Sequence, residues 1–184
     1  RSRGLGEVYK SQFRYFFPDA DPEHGIATLH KVAQEATFVG TEAAYFLLQI
    51  YMAFEPDFDK ASEMVALLRE RHPSNAFFHI LEGRVQSRWG RYFTAAEVFE
   101  EVIARYDAGE PGYTNGLTQG AWYHLGRSQM SAGHLEEALV AFASLDELAV
   151  NDERSVYRAL GRLRAGMAWD RTGHRDEANA PARA

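Results

Sequence analysis

Four times along this chain a turn residue is followed, five positions later, by an alanine: Pro56 and Ala61, Gly90 and Ala95, Gly133 and Ala138, Gly173 and Ala178. After each turn stands a run with helical patterning, DFDKASEMVALL, RYFTAAEVFEEV, HLEEALVAFASL and HRDEANA. Proline and glycine are poor in helix interiors, and a small side chain inside the next helix permits close approach of a neighbour. A recurrence of this kind restricts the chain to an array of like units, because a single pair of short helices cannot bury its own apolar face. Apolar residues recur at helical spacing almost everywhere, and no strict alternation persists long enough to need a strand. Further breaks at Pro18 to Pro22, Gly40, Pro73, the long AGEPGYTNG and Asn151-Asp152 leave helical segments that come in pairs.

The four alanines are 34, 43 and 40 residues apart, and the surplus over 34 falls in DAGEPGYTNG and in the polar NDERSVYR region. Within Trp122 to Phe142, the residues Trp122, Leu125 and Gly126 match W-x2-L-G, and Ala138 and Phe142 match A-x3-F. In these residues the chain resembles the tetratricopeptide repeat family. Gln129 and Val150 depart from the pattern, standing where it has Tyr and Pro. A preceding unit keeps Gly83, Gly90, Ala95 and Phe99 with His79 in place of Trp, and the one before keeps Ala61 and Pro73 with Val65 in place of Phe. Gly166, Trp169, Gly173 and Ala178 mark a last unit that Pro181 should cut short, and Gly25 marks an N-terminal pair, roughly 5–17 and 22–37. The resemblance implies an all-α, right-handed α-solenoid of about five antiparallel helix pairs, a single repeat domain over 1–184 with units near 5–37, 42–75, 76–109, 119–152 and 153–184.

Composition narrows function by exclusion. The net charge of −6 argues against a general nucleic-acid or membrane-surface binder, since both rely on excess basic charge. The most apolar segment, AAYFLLQIYMAF, is too short for a membrane span and carries Gln49. The absence of cysteine removes disulfides, thiolate metal sites and cysteine nucleophiles, and leaves the compartment open. Only Lys10, Lys31 and Lys60 among the 20 basic residues are Lys; the rest are Arg, which suits planar, bidentate recognition of carboxylates as well as a simple codon habit. The chain opens at Arg1, so a leader, tag or preceding domain is expected to be missing, and RSRGLGEVYK lacks the apolar core of a signal peptide.

Candidate chemistry is weak. His124 and Ser128 are one helical turn apart, with Glu136 and Glu137 nearby, but no nucleophile-elbow glycines flank Ser128. Glu136 and Glu137 are expected in the first turn of a helix, where carboxylates complement its dipole. The seven His are scattered and none lies in H-E-x-x-H, so no metal site is expected. GLGEV at Gly4 to Val8 lacks the third glycine and the strand of a dinucleotide fingerprint. No cofactor is expected and no catalysis.

By resemblance, first helices of successive units line a concave groove. Carried over residue by residue, the groove-facing set is Phe46, Ile50 and Phe54 in one unit, Arg84 and Arg88 in the next, then Tyr123, His124, Arg127 and Met130, and finally Arg164, Asp170 and Arg171. Arg84 and Arg127 hold the same position in consecutive units. The expected function is a protein interaction scaffold that captures an acidic peptide or helix, with self-pairing of these arginines as the competing account. The carboxylate clamp of chaperone-binding family members is not reproduced, because the aligned positions are Ile50, Arg84, Arg127 and Met167. A self-assembling homo-oligomeric module, motivated by the short last helix, and an accessory domain of a larger protein are the alternatives.

Overall fold

The computed structural model describes residues 21–173; the expected helix at 5–17, the Gly4 to Val8 stretch, His174, Ala178 and Pro181 lie outside the described residues. Among the described residues every regular element is helical. Backbone contacts divide the chain into two compact units, Arg1–Leu68 and Arg69–Ala184.

The first unit contains α1 (Pro22–Glu35), α2 (Gly40–Gln49), a single π turn (Ile50–Phe54) and most of α3 (Phe58–Arg71). Asp21 caps α1 by accepting from the His24 N–H at 3.0 Å, and Pro22 stands in the first turn, where its missing N–H costs nothing. Gly40, expected as a break, opens α2 and is buried. The π turn is closed by Glu55 N–H donating to Ile50 O at 2.9 Å, five residues back. Pro56 then stops the helix, and Asp57 starts α3 by accepting from the Lys60 N–H at 3.1 Å. Leu47, Leu48, Met52, Ala61, Val65 and Leu68 are buried in this unit. Tyr51 is buried with its hydroxyl 2.6 Å from His30 Nε2, so its polar tip has a partner.

The second unit contains α4 (Ala76–Arg88), α5 (Tyr92–Asp107), α6 (Asn115–Ala132), α7 (Leu135–Leu148) and α8 (Val156–Arg171). Consecutive helices pack on one another, and α6 also touches both α4 and α8. The first helices of successive pairs therefore form one layer. The glycines fix the approach within each pair: a Cβ on Gly83 would lie 2.5 Å from Phe99 Cε1, and one on Gly126 would lie 2.5 Å from Phe142 Cε1. Phe99 and Phe142 fill the space the missing methyl leaves, and both are buried. On α8 a close approach falls at Gly161, whose added Cβ would meet Leu145 Cδ2 at 2.7 Å. Glu136 and Glu137 do occupy the first turn of α7, and α6 ends at Gly133, whose φ of 88° is left-handed.

The insertion after α5 folds back onto its own unit. Tyr113 is buried with its hydroxyl 3.1 Å from His79 Nδ1, and Gly112, at φ 90°, passes so close to Ser74 O that a Cβ would lie 2.1 Å from it. His79 replaces the pattern's Trp because its ring nitrogen serves this loop. Burial, with the charge of Arg69 assisting, lowers its pKa to about 4, although Glu101 lies 3.5 Å from Nε2.

Candidate functional site

Four of the expected groove residues, Arg84, Tyr123, His124 and Arg127, interact in the second unit. His124 of α6 lies against the Phe99 ring at 5.6 Å, nearly parallel, with Tyr123 and Tyr157 edge-on at 5.3 and 6.1 Å. Burial lowers its pKa to about 3, and the positive charges of Arg84 on α4 and Arg127 on α6 push the same way. The imidazole is therefore neutral at physiological pH, and two guanidinium groups stand within electrostatic range of it. The Arg127 guanidinium also lies 5.7 Å from the Tyr123 ring centroid. Arg88 follows Arg84 by one helical turn and is exposed.

Four arginines elsewhere in this unit have carboxylate partners, whereas Arg91 lies over the Trp89 ring at 3.3 Å. Arg69 meets Glu82 at 3.1 Å, Arg105 meets Glu101 through Nε at 2.9 Å, and Arg158 and Arg162 share Asp146 at 2.8 and 2.6 Å. The two Asp146 partners hold that carboxyl down to a pKa of about 2. Among the described residues, Arg84, Arg88, Arg127, Arg164 and Arg171 make no such ion pair; Arg164 Nη1 lies 4.0 Å from Met167 Sδ.

Two expected groove residues are not accessible. Tyr123 and Met130 are only 6% and 7% exposed, and they belong to a core with Ala138, Phe142, Leu145 and Ala168. The groove positions assume that the next first helix leaves them open, whereas α8 packs on α6 and covers them. Tyr123 keeps an indirect part as the ring under Arg127. In the first unit Phe46 and Phe54 are 59% and 76% exposed and Ile50 is half-buried. Arg164 is half-buried on α8, and Asp170 and Arg171 are exposed at its end.

Ser128 is fully buried and its hydroxyl donates to Ser87 Oγ at 3.2 Å, so it packs between α6 and α4 and makes no hydrogen bond to His124. Among the described residues no three His, Asp or Glu side chains gather to hold a metal ion, and no helix is long and apolar enough to cross a membrane.

Sequence patterning did not anticipate a groove of about 380 Å³ between α5, α6 and α7. Its lining combines apolar Trp122, Leu125 and Val140 with acidic Glu100, Asp107 and Glu137. The signal was present: Glu100 and Asp107 are seven residues apart on α5, two turns along one face.

No protein-family model matches the chain, and no curated protein matches it by sequence. Solved structures do. The chain is similar to MamA, with a TM-score of 0.63 at 18% identity, covering 98% of this chain and 92% of that one. It is also similar to the nearly identical TPR-like repeats of a Podosopora anserina kinesin light chain, with a TM-score of 0.64 at 18% identity and coverage of 98% and 94%. At such identity the likeness speaks for the fold alone. With the Gly83–Phe99 and Gly126–Phe142 packing pairs, it identifies this chain as an all-α protein of the tetratricopeptide-type, solenoid repeat fold.

Proposed function

We propose that the protein is a non-catalytic interaction scaffold whose second unit binds an acidic partner segment through Arg84, Arg88 and Arg127, with Arg164 and Arg171 extending the basic face. The observation that carries this reading is the division among the arginines. Arg69, Arg105, Arg158 and Arg162 form ion pairs, whereas all five arginines expected on the groove form none among the described residues, a state they share with Arg91 and Arg154. The competing account, in which the groove arginines are neutralised by the chain's own Asp and Glu, requires pairs that the described residues do not make. His124 adds no charge beside the two arginines that act on it.

A charge-assisted hydrogen bond to a guanidinium is worth about 1.5 to 3 kcal/mol when shielded and under about 1 when exposed. Two or three such bonds with some apolar contact support micromolar affinity, about 8 kcal/mol, for a short peptide. Phe46 and Phe54, with Ile50 beside them, offer a separate apolar surface on the first unit, suited to the hydrophobic side chains of a partner.

The test is an array of extended peptides graded in Asp and Glu content, probed with wild type and with an Arg84→Glu, Arg127→Glu double variant. Retention should rise with acidity, weaken with salt and vanish in the variant. Equal retention by a folded double variant would remove the basic face from the account.

A further inference from the structure

Beyond the Arg84 and Arg127 site, and sharing with the proposed basic face only Arg164 and Arg171, the second unit carries two surfaces that complement each other. One is the outer side of α8. Val156, Leu160, Leu163 and Met167 recur at helical spacing and are 68%, 37%, 61% and 39% exposed, although each is a residue a core would take. Arg164 and Arg171 stand beside this stripe without a carboxylate partner among the described residues, while Arg158 and Arg162 on the same helix are committed to Asp146. The other is the groove between α5, α6 and α7, lined by apolar Trp122, Leu125 and Val140 and by acidic Glu100, Asp107 and Glu137. Glu100 and Asp107 pair with no cation among the described residues, and Glu137 has only His134 at 3.9 Å. Gln129, which also lines the groove, holds a buried side-chain oxygen with no hydrogen-bond partner, so a donor is wanted there.

We propose that the acidic groove takes α8 of a second copy of this chain, its apolar stripe against Trp122, Leu125 and Val140 and its Arg164 and Arg171 toward Glu100, Asp107 and Glu137. The lengths agree: α8 has 16 residues and so spans about 24 Å, and α5, which forms one wall, has the same number. The charges agree in sign, basic beside the stripe and acidic around the groove. Because the two surfaces differ, the contact is heterologous and each copy has one of each to offer, so association continues from dimers to higher oligomers as concentration rises. One helix in one groove lies at the small end of the interface scale, under about 1,200 Å² in total, so the association is weak and readily reversed by dilution.

Sedimentation velocity across a concentration series tests this with the full chain. Wild type should associate progressively, less so at high salt. Leu163→Glu should abolish association from the stripe side, and Glu100→Arg with Asp107→Arg should abolish it from the groove side, each variant retaining its helical circular dichroism. An equimolar mixture of that groove variant with an Arg164→Glu, Arg171→Glu variant should restore heterotypic association, since the signs are reversed on both sides. A wild type that stays monomeric up to about 1 mM overturns the proposal, even if the groove then binds an added basic amphipathic peptide, because the occupant would be a foreign helix. Association that survives either abolishing variant, or a mixture that fails to reassociate, overturns it as well. None of these outcomes depends on whether Arg84 and Arg127 bind an acidic peptide, so the two readings fail separately.

Discussion

Two pairs of arginines in the second unit have opposite circumstances. Arg158 and Arg162 project from α8 onto Asp146 of α7, close a bidentate contact and hold two helices together. Arg84 of α4 and Arg127 of α6 act on a neutral histidine and meet no carboxylate among the described residues. Arg84, Arg158 and Arg162 are partly buried and Arg127 is exposed, so neither set contributes much to stability on its own. The difference lies in what each leaves for a partner. A guanidinium already forked on a carboxylate has its donors occupied, whereas one beside a neutral imidazole and an aromatic ring keeps them available.

The largest expected effect would break the comparison by removing its support. Phe99 is buried, fills the space against Gly83 and stacks on His124. Phe99→Ala should destabilise by about 3 to 5 kcal/mol, read from denaturant unfolding, since the void cannot be refilled without moving α4. The next two variants are meant to give mirror-image results. Asp146→Asn should cost about 1 kcal/mol of stability, because it strands two half-exposed guanidinium groups, and should leave peptide binding alone. Arg84→Glu with Arg127→Glu should change stability by no more than about 0.5 kcal/mol, since no pair is broken.

Proton linkage sharpens the same contrast with smaller effects. The folded pKa of Asp146, about 2, is below its unfolded value near 4, so its contribution is present above pH ~4 and is lost as pH falls toward 2. The folded pKa of His124, about 3, is below an unfolded value near 6.5, so the stability associated with keeping it neutral is present above pH ~6.5 and is lost as pH falls toward 3. Ring chemical shifts followed against pH should show Arg84→Gln raising the His124 midpoint, with burial keeping it well below the ordinary value. An unchanged midpoint would mean that Arg84 does not act on this ring.

How much of this was legible without coordinates depends on what each residue reports. Gly83, Gly126, Ala138, Phe99 and Phe142 disclosed the fold because their sizes record how closely two helices of one pair approach, which is a local property with a fixed spacing. Tyr123 and Met130 were misplaced because helical period tells which face a residue occupies, and only the packing of α8 on α6 tells whether that face is covered. The partnership of His79 with Tyr113 was invisible for a similar reason: it joins positions 34 residues apart across an insertion that has no place in the repeat pattern. The acidic groove was missed because the family pattern draws the eye to first helices, while Glu100, Asp107 and Glu137 project from second helices.

The most direct test of the central claim is one calorimetric titration of a Glu-rich peptide, chosen from the array, into three proteins: wild type, Asp146→Asn, and Arg84→Glu with Arg127→Glu. The account predicts equal affinity for the first two and a loss of at least tenfold, about 1.4 kcal/mol, for the third. Equal affinity for all three, or a loss confined to Asp146→Asn, would contradict it.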